Sequence, residues 1–151
     1  MNYLAANIIP SSKPTTLPLT LGSSSSSRQA ILNCAGWEYD IMIPDIDEKA
    51  IRHDDPYTLP VLIAKAKAEA IIGRLDKNMS PFVLLTSDQI VLFGNEIREK
   101  PVDENEAEKF LSSYSNQNVS TISAVVATHF PSGKSIVDNF DILFFNIFIG
   151  R

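Results

Sequence analysis

The stretch Leu17-Pro18-Leu19-Thr20-Leu21-Gly22-Ser23-Ser24-Ser25-Ser26-Ser27-Arg28 decides the fold, because an apolar alternation gives way there to small hydroxyl residues and then to a cation as a helix begins. Gln29-Ala30-Ile31-Leu32-Asn33-Cys34-Ala35 reads as that helix, with Ala30, Ile31 and Cys34 inward and Gly36 available as its C-cap. Small residues at a helix N-terminus let backbone N–H groups approach an anion, the helix dipole favours negative charge, and Arg28 adds a planar forked donor. The same serine run also reads as a flexible, low-complexity connection, and the stretch alone supports both readings.

Outward from this stretch, the whole chain has 151 residues, 44% of them hydrophobic, which is enough for one domain with a real core. A net charge of -5 argues against a protein built to coat duplex DNA or an anionic membrane, although clustered cations can still hold one polyanionic small molecule. The single cysteine, Cys34, excludes an internal disulfide and suits a reducing compartment such as the cytoplasm. No run approaches the roughly 18 apolar residues of a membrane span. Residues 1–16, with Pro10, Ser11, Ser12 and Pro14, read as a flexible leader.

Trp37, Tyr39, Ile41 and Ile43 alternate with polar residues and Met42 as a half-buried strand that Pro44 ends. The acidic loop Asp45-Ile46-Asp47-Glu48 follows, either solvated or functional. Thr58 to Leu75 predicts the clearest helix, with Leu59, Leu62, Ile63, Ala66 and Ala70 on its apolar face and Pro60 in the tolerated first turn. Lys67 falls at the edge of that face, where it either snorkels to solvent or aims at a bound phosphate. Phe82-Val83-Leu84-Leu85-Thr86 and Ile90-Val91-Leu92-Phe93 predict buried strands interrupted by Asp88, a carboxylate that must be hydrogen-bonded, paired, metal-bound or exposed at a bend. Gly94-Asn95 predicts a tight turn, and Asp103 with Glu106 a capping pair for a helix carrying Ala107, Phe110, Leu111 and Tyr114 on one face. Val119–Phe130 and Ser135–Ile149 complete the pattern as an antiparallel hairpin through Pro131-Ser132-Gly133-Lys134.

In order and spacing, Leu21-Gly22-Ser23-Ser24-Ser25-Ser26-Ser27-Arg28, Asp45-Ile46-Asp47-Glu48-Lys49, Ile63-Ala64-Lys65-Ala66-Lys67-Ala68, Ser87-Asp88-Gln89-Ile90-Val91 and Glu99-Lys100-Pro101 together resemble the Maf-like nucleotide pyrophosphatases, and plant members in particular. The likeness runs from about Leu17 to Ile147. It implies an α/β fold with a mixed sheet flanked by helices, similar to inosine triphosphatases. It also implies cleavage of a nucleoside triphosphate, modified bases included, between the α and β phosphates, giving monophosphate and pyrophosphate in the service of a clean nucleotide pool.

By motif, the resemblance assigns Asp88 and Glu48 as catalytic and metal-holding residues for Mg2+ or Mn2+, and Ser23, Ser25, Arg28, Lys67, Gln89 and Lys100 as substrate-binding residues. Three cations would neutralise phosphate oxygens while Asp88 orients or deprotonates water. Gln89 matches the Asp-Gln form of the motif found in members acting on a methylated guanine nucleotide. Two departures stand out. The family's Pro-Arg-Arg or Pro-Trp-Arg reads Ser26-Ser27-Arg28 here, which removes a rigid proline and a large side chain. Family members also continue past the position of Ile147 into a second lobe, so residues 17–151 are expected to be a C-terminally truncated domain. A catalytically impaired nucleotide-binding isoform is the alternative, a homodimer is an assembly the resemblance allows, and an interaction domain unrelated to nucleotides is a third reading.

Overall fold

The computed structural model describes residues 15–144. Along the chain come β1 (Leu19–Leu21), α1 (Ser26–Cys34), β2 (Asp40–Ile41), a 3-10 turn (Glu48–Ala50), α2 (Thr58–Ile72), β3 (Phe82–Phe93), β4 (Glu96–Arg98), α3 (Glu104–Tyr114), β5 (Val119–Phe130) and β6 (Ser135–Phe144). The strands form one sheet in the order β2-β1-β3-β5-β6, with β4 beside β3. β1 runs parallel to β2 and β3, whereas β4 is antiparallel to β3. This is the α/β class with a mixed sheet and flanking helices that the sequence predicts. The leader, apart from Thr15 and Thr16, and the final stretch of the last predicted strand lie outside the described residues. Among the described residues no helix is long and apolar enough to cross a membrane.

The chain divides into two compact units, one drawing on residues up to Ile46, on Lys65–Thr86 and on Val126–Ile136, the other on Asp47–Ala64, Ser87–Val125 and the chain from Val137 onward. In the first unit the period of two along β3 sends alternate residues to opposite helices. Val83 and Leu85 join Leu19, Leu21 and Leu32 of α1, while Phe82 and Leu84 join Ala68 and Ile71 of α2 together with Phe130. Phe82 and Phe130 stack at 5.0 Å and 23°, worth about 0.5–1.5 kcal/mol beyond the area they bury. Gly22 is held where a Cβ would come within 2.5 Å of Thr86 Cγ2 and 2.9 Å of Ile71 Cδ1, so only glycine lets the chain after β1 press this closely on its neighbours.

Three expectations about side-chain phase need correction in this unit. Helix α1 turns Leu32 inward and leaves Ala30, Ile31 and Cys34 exposed, because Leu32 is the residue that reaches the apolar side chains of β1 and β3. Gly36 does close the helix: at φ +68 it lets its own N–H bond to Asn33 and the Trp37 N–H bond to Leu32, a Schellman ending. The strand predicted across Trp37–Ile43 is only Asp40–Ile41, and it is Met42, not Ile41 or Ile43, that enters the core. Helix α2 starts at Thr58 as expected but ends at Ile72. There Arg74 and Leu75 donate to Ile71 and Ile72 in a tightened last turn.

In the second unit Leu59 and Ile63 of α2 meet Ile90 of β3 and Ile122 of β5. β3 turns into β4 through Gly94-Asn95, with Gly94 at φ +59 as a two-residue hairpin requires. Asp103 caps α3 by accepting from the Glu106 N–H at 2.8 Å, and the Glu106 carboxylate reaches back to the Val102 N–H at 2.7 Å, a close variant of the predicted capping pair. Of the predicted apolar face of α3, Ala107, Phe110 and Tyr114 are half-buried and Leu111 is exposed.

The start of α2 has a cap that the sequence reading did not single out. The Asp55 carboxylate accepts from the Thr58 N–H at 2.9 Å and from the Thr58 hydroxyl. Pro56 follows in the position where its missing N–H costs nothing.

Candidate active site

The serine stretch is ordered structure, not a loose connection. Ser23 is buried, Ser25 is the N-cap residue of α1, and Ser26 and Ser27 form its first turn. The Ser23 hydroxyl accepts from the Ser25 N–H at 3.1 Å and from Arg28 Nη1 at 3.3 Å. Ser25 itself makes no side-chain cap. Ser23, Ser25 and Arg28 are thus brought together at the N-terminus of a nine-residue helix, just after the carboxyl end of a parallel strand. In α/β sheets that is where ligands gather.

Lys67 belongs to the same unit, and its placement overturns the edge position read from the sequence. The residues of α2 that turn inward are Leu59, Ile63, Ala64, Lys67, Ala68 and Ile71, so the lysine sits in the middle of the buried stripe, and only 4% of it is exposed. Snorkelling is excluded by that burial. Leu62, predicted to point inward, is exposed instead.

In the second unit, β3 runs unbroken through Asp88. The strand buries Phe82, Leu84, Thr86, Asp88 and Ile90 in strict alternation, so the aspartate occupies an inward position and is 8% exposed. The predicted interruption is absent because a carboxylate can follow the strand period as well as a leucine can. Glu48 is half-buried in the 3-10 turn that Asp47 caps by accepting from the Lys49 N–H at 3.1 Å. Gln89 is exposed and, as the next residue in the strand, points to the face away from Asp88.

Lys100 is exposed two residues past the end of β4. Val91 pairs with Arg98 and Leu92 with Ile97, and Lys100 follows in a bend beyond the strand. The segment carrying Lys100 is tied to the one carrying Glu48 by an ion pair at 3.4 Å between Arg52 Nη1 and Glu99.

Arg98 is the residue whose weight the sequence reading missed. It is 9% exposed, its Nη2 donates to Glu96 at 2.8 Å, its Nη1 donates to Ser113 Oγ at 2.7 Å, and its Cζ lies 4.4, 4.6 and 5.2 Å from the ring centroids of Phe93, Phe110 and Tyr114. The hydrogen bond to Glu96 raises the guanidinium's pKa above its ordinary value, against the opposing effect of burial. Two sequence signals were available. Arg98 is in phase with Val91 and Phe93 across the hairpin, and Phe110 and Tyr114 are one helical turn apart on α3.

The Maf-like protein family model matches residues 18–146, and the chain belongs to that family. It is 40% identical over 132 residues to the 7-methyl-GTP pyrophosphatase of Dictyostelium discoideum, covering 85% of this chain and 66% of that protein. It is 28% identical over 131 residues to the dTTP/UTP pyrophosphatase of Vibrio parahaemolyticus, covering 85% of this chain and 67% of that protein. Among solved structures the Staphylococcus aureus Ham1 protein matches at 15% identity and a TM-score of 0.49, covering 83% of this chain and 70% of that one. The chain spans about half to two thirds of the length of the first curated relatives it matches.

Proposed function

We propose that this protein hydrolyses a nucleoside triphosphate between its α and β phosphates, releasing the monophosphate and pyrophosphate. The observation that carries the reading is the burial of Lys67 and Asp88 at 4% and 8% exposure, each on the inward face of its own element. Charged groups are costly to bury and are retained where chemistry needs them. Both occupy positions of the family's motifs, and the chain's curated relatives are named as pyrophosphatases of 7-methyl-GTP and of dTTP and UTP.

In this reading Arg28, Lys67 and Lys100 neutralise phosphate oxygens, with Ser23 holding the Arg28 fork. Asp88 orients or deprotonates the attacking water. Glu48 and Asp88 offer hard carboxylate oxygens. Such oxygens are the donor type that suits Mg2+ or Mn2+ shared with phosphate and water. Such an ion, held by Glu48 and Asp88, would supply Lewis-acid polarisation of the phosphate. A cytoplasmic setting belongs to the same reading, since a lone cysteine needs no oxidising compartment.

Gln89 is the residue proposed to read the base. An amide donates and accepts together and so matches a purine edge that a threonine hydroxyl matches only in part. The test is pyrophosphate release by the purified chain from 7-methyl-GTP, GTP, UTP and dTTP with Mg2+ or Mn2+. A preference for 7-methyl-GTP that Gln89→Thr shifts toward UTP and dTTP supports both the activity and the role of Gln89. Preference for UTP or dTTP, unchanged by that substitution, removes Gln89 from the base site. A rise in melting temperature with triphosphate but no turnover favours the nucleotide-binding alternative over an enzyme.

A further inference from the structure

Arg98 is a buried cation with no part in the chemistry above. Its surroundings on α3 and the β3–β4 hairpin are built around it: three aromatic faces, the Glu96 carboxylate and the Ser113 hydroxyl. Stability alone does not call for it, because its ion-pair partner Glu96 is exposed and a pair open to water on one side is worth little. What a guanidinium adds is direction. Its planar fork fixes two hydrogen bonds at once and stacks against rings, so the backbone bearing it is held in one register and one orientation.

That backbone is the last residue of β4, and the chain leaves it as Glu99-Lys100-Pro101. The Phe93 and Tyr114 rings that enclose the guanidinium meet edge to face at 5.5 Å and 61° and so join the hairpin to α3. One residue further on, Glu99 is tied to Arg52. Lys100, itself exposed, therefore starts from an anchored backbone on its N-terminal side and a φ-restricted proline on the other.

We infer that Arg98 is a positioning residue for Lys100: caged between α3 and the hairpin, it sets the exit path of the Glu99-Lys100-Pro101 segment and thereby the reach of the Lys100 ammonium toward a bound triphosphate. The inference rests on the proposed phosphate-binding role of Lys100. Arg98 touches no substrate and acts only through the segment it anchors.

The experiment is a double-mutant cycle on the full chain, reading triphosphate affinity from ligand-induced thermal shift and, where there is turnover, KM and kcat. Lys100→Ala is expected to weaken triphosphate binding about ten-fold. Arg98→Met is expected to melt within a few degrees of the parent and yet weaken binding to a similar extent, with kcat changed less than KM. Arg98→Lys, which keeps the charge and loses the fork, should fall between the parent and Arg98→Met. Combined with Lys100→Ala, Arg98→Met should cost nothing further, because the lysine it positions is gone.

Unchanged binding in Arg98→Met while Lys100→Ala is impaired overturns the inference and leaves the reading of Lys100 standing. Full additivity of the two losses overturns it as well. If Lys100→Ala binds as the parent does, the reading of Lys100 fails and this inference with it. Should Arg98→Met fail to fold, Arg98→Lys decides: parent-like binding contradicts the inference, and weakened binding that disappears in the Lys100→Ala background supports it.

Discussion

At the scale of single residues, Lys67 and Asp88 carry the account, and they are also where a hydropathy reading of the chain fails. Lysine counted as polar pushes the apolar stripe of α2 toward Leu62, Ala66 and Ala70, when the stripe passes through Lys67 itself. Aspartate counted as a breaker splits β3 in two, when the strand runs from Phe82 to Phe93. Both errors have one cause: a buried charge reverses the sign of the pattern at its own position. The motifs nonetheless singled out both residues, although not their burial.

The two residues should fail differently. Asp88→Asn keeps the shape but loses the charge that the proposed metal and water role requires, and is expected to lower kcat about 10²–10³-fold while triphosphate still raises the melting temperature. Lys67→Ala is expected to raise KM about ten-fold or more and to shrink that thermal shift. Near-parent turnover in Asp88→Asn, or an undiminished shift in Lys67→Ala, would remove that residue from its role.

At the scale of elements, strand and helix positions followed from periodicity and caps, while lengths and phases were set by contacts that no local pattern contains. β2 is two residues long because only Asp40 and Ile41 pair with β1, although the alternation runs on to Ile43. Gly22 shows how a turn depends on partners distant in sequence. Gly22→Ala sets a methyl against the buried Thr86 Cγ2 and the end of Ile71, and should destabilise by about 1–3 kcal/mol. Thr86→Ser removes the nearer methyl and should restore part of the loss. Equal melting temperatures for parent and Gly22→Ala would show that the chain after β1 is not pressed in this way.

Asp55 gives a test at the start of α2. The Thr58 hydroxyl that donates to it, more than its backbone bonds from Tyr57 and Thr58, lowers its pKa below the ordinary carboxylate value of 3.8. The depressed value means that the ionised cap stabilises the fold above the unfolded pKa, and that this contribution is lost as pH falls through the folded one. Asp55→Ala should therefore melt below the parent near neutral pH, with the gap closing as the pH drops below about 4. A gap that stays constant through that range would assign the effect to something other than the ionised cap.

At the scale of the whole molecule, the sequence read correctly as an α/β chain with a mixed sheet and flanking helices, down to the β3–β4 turn and the hairpin of β5 and β6. The division into two compact units was not legible, since α2, β3, β5 and β6 each run through both and no linker marks the boundary. The serine stretch was legible only as two alternatives. Composition cannot tell a flexible run from a first helical turn, and what resolves it is Leu32 docking α1 onto β1 and β3.

The candidate residues are likewise shared out, with Ser23, Ser25, Arg28 and Lys67 in one unit and Glu48, Asp88, Gln89 and Lys100 in the other. A nucleotide-cleaving role for the chain stands or falls on which phosphate bond breaks. Phosphorus NMR of the products formed from 7-methyl-GTP with Mg2+ tests that directly. The account predicts the singlet of pyrophosphate growing with the resonance of the monophosphate, and both vanishing in Asp88→Asn. Orthophosphate and a nucleoside diphosphate appearing instead would contradict it.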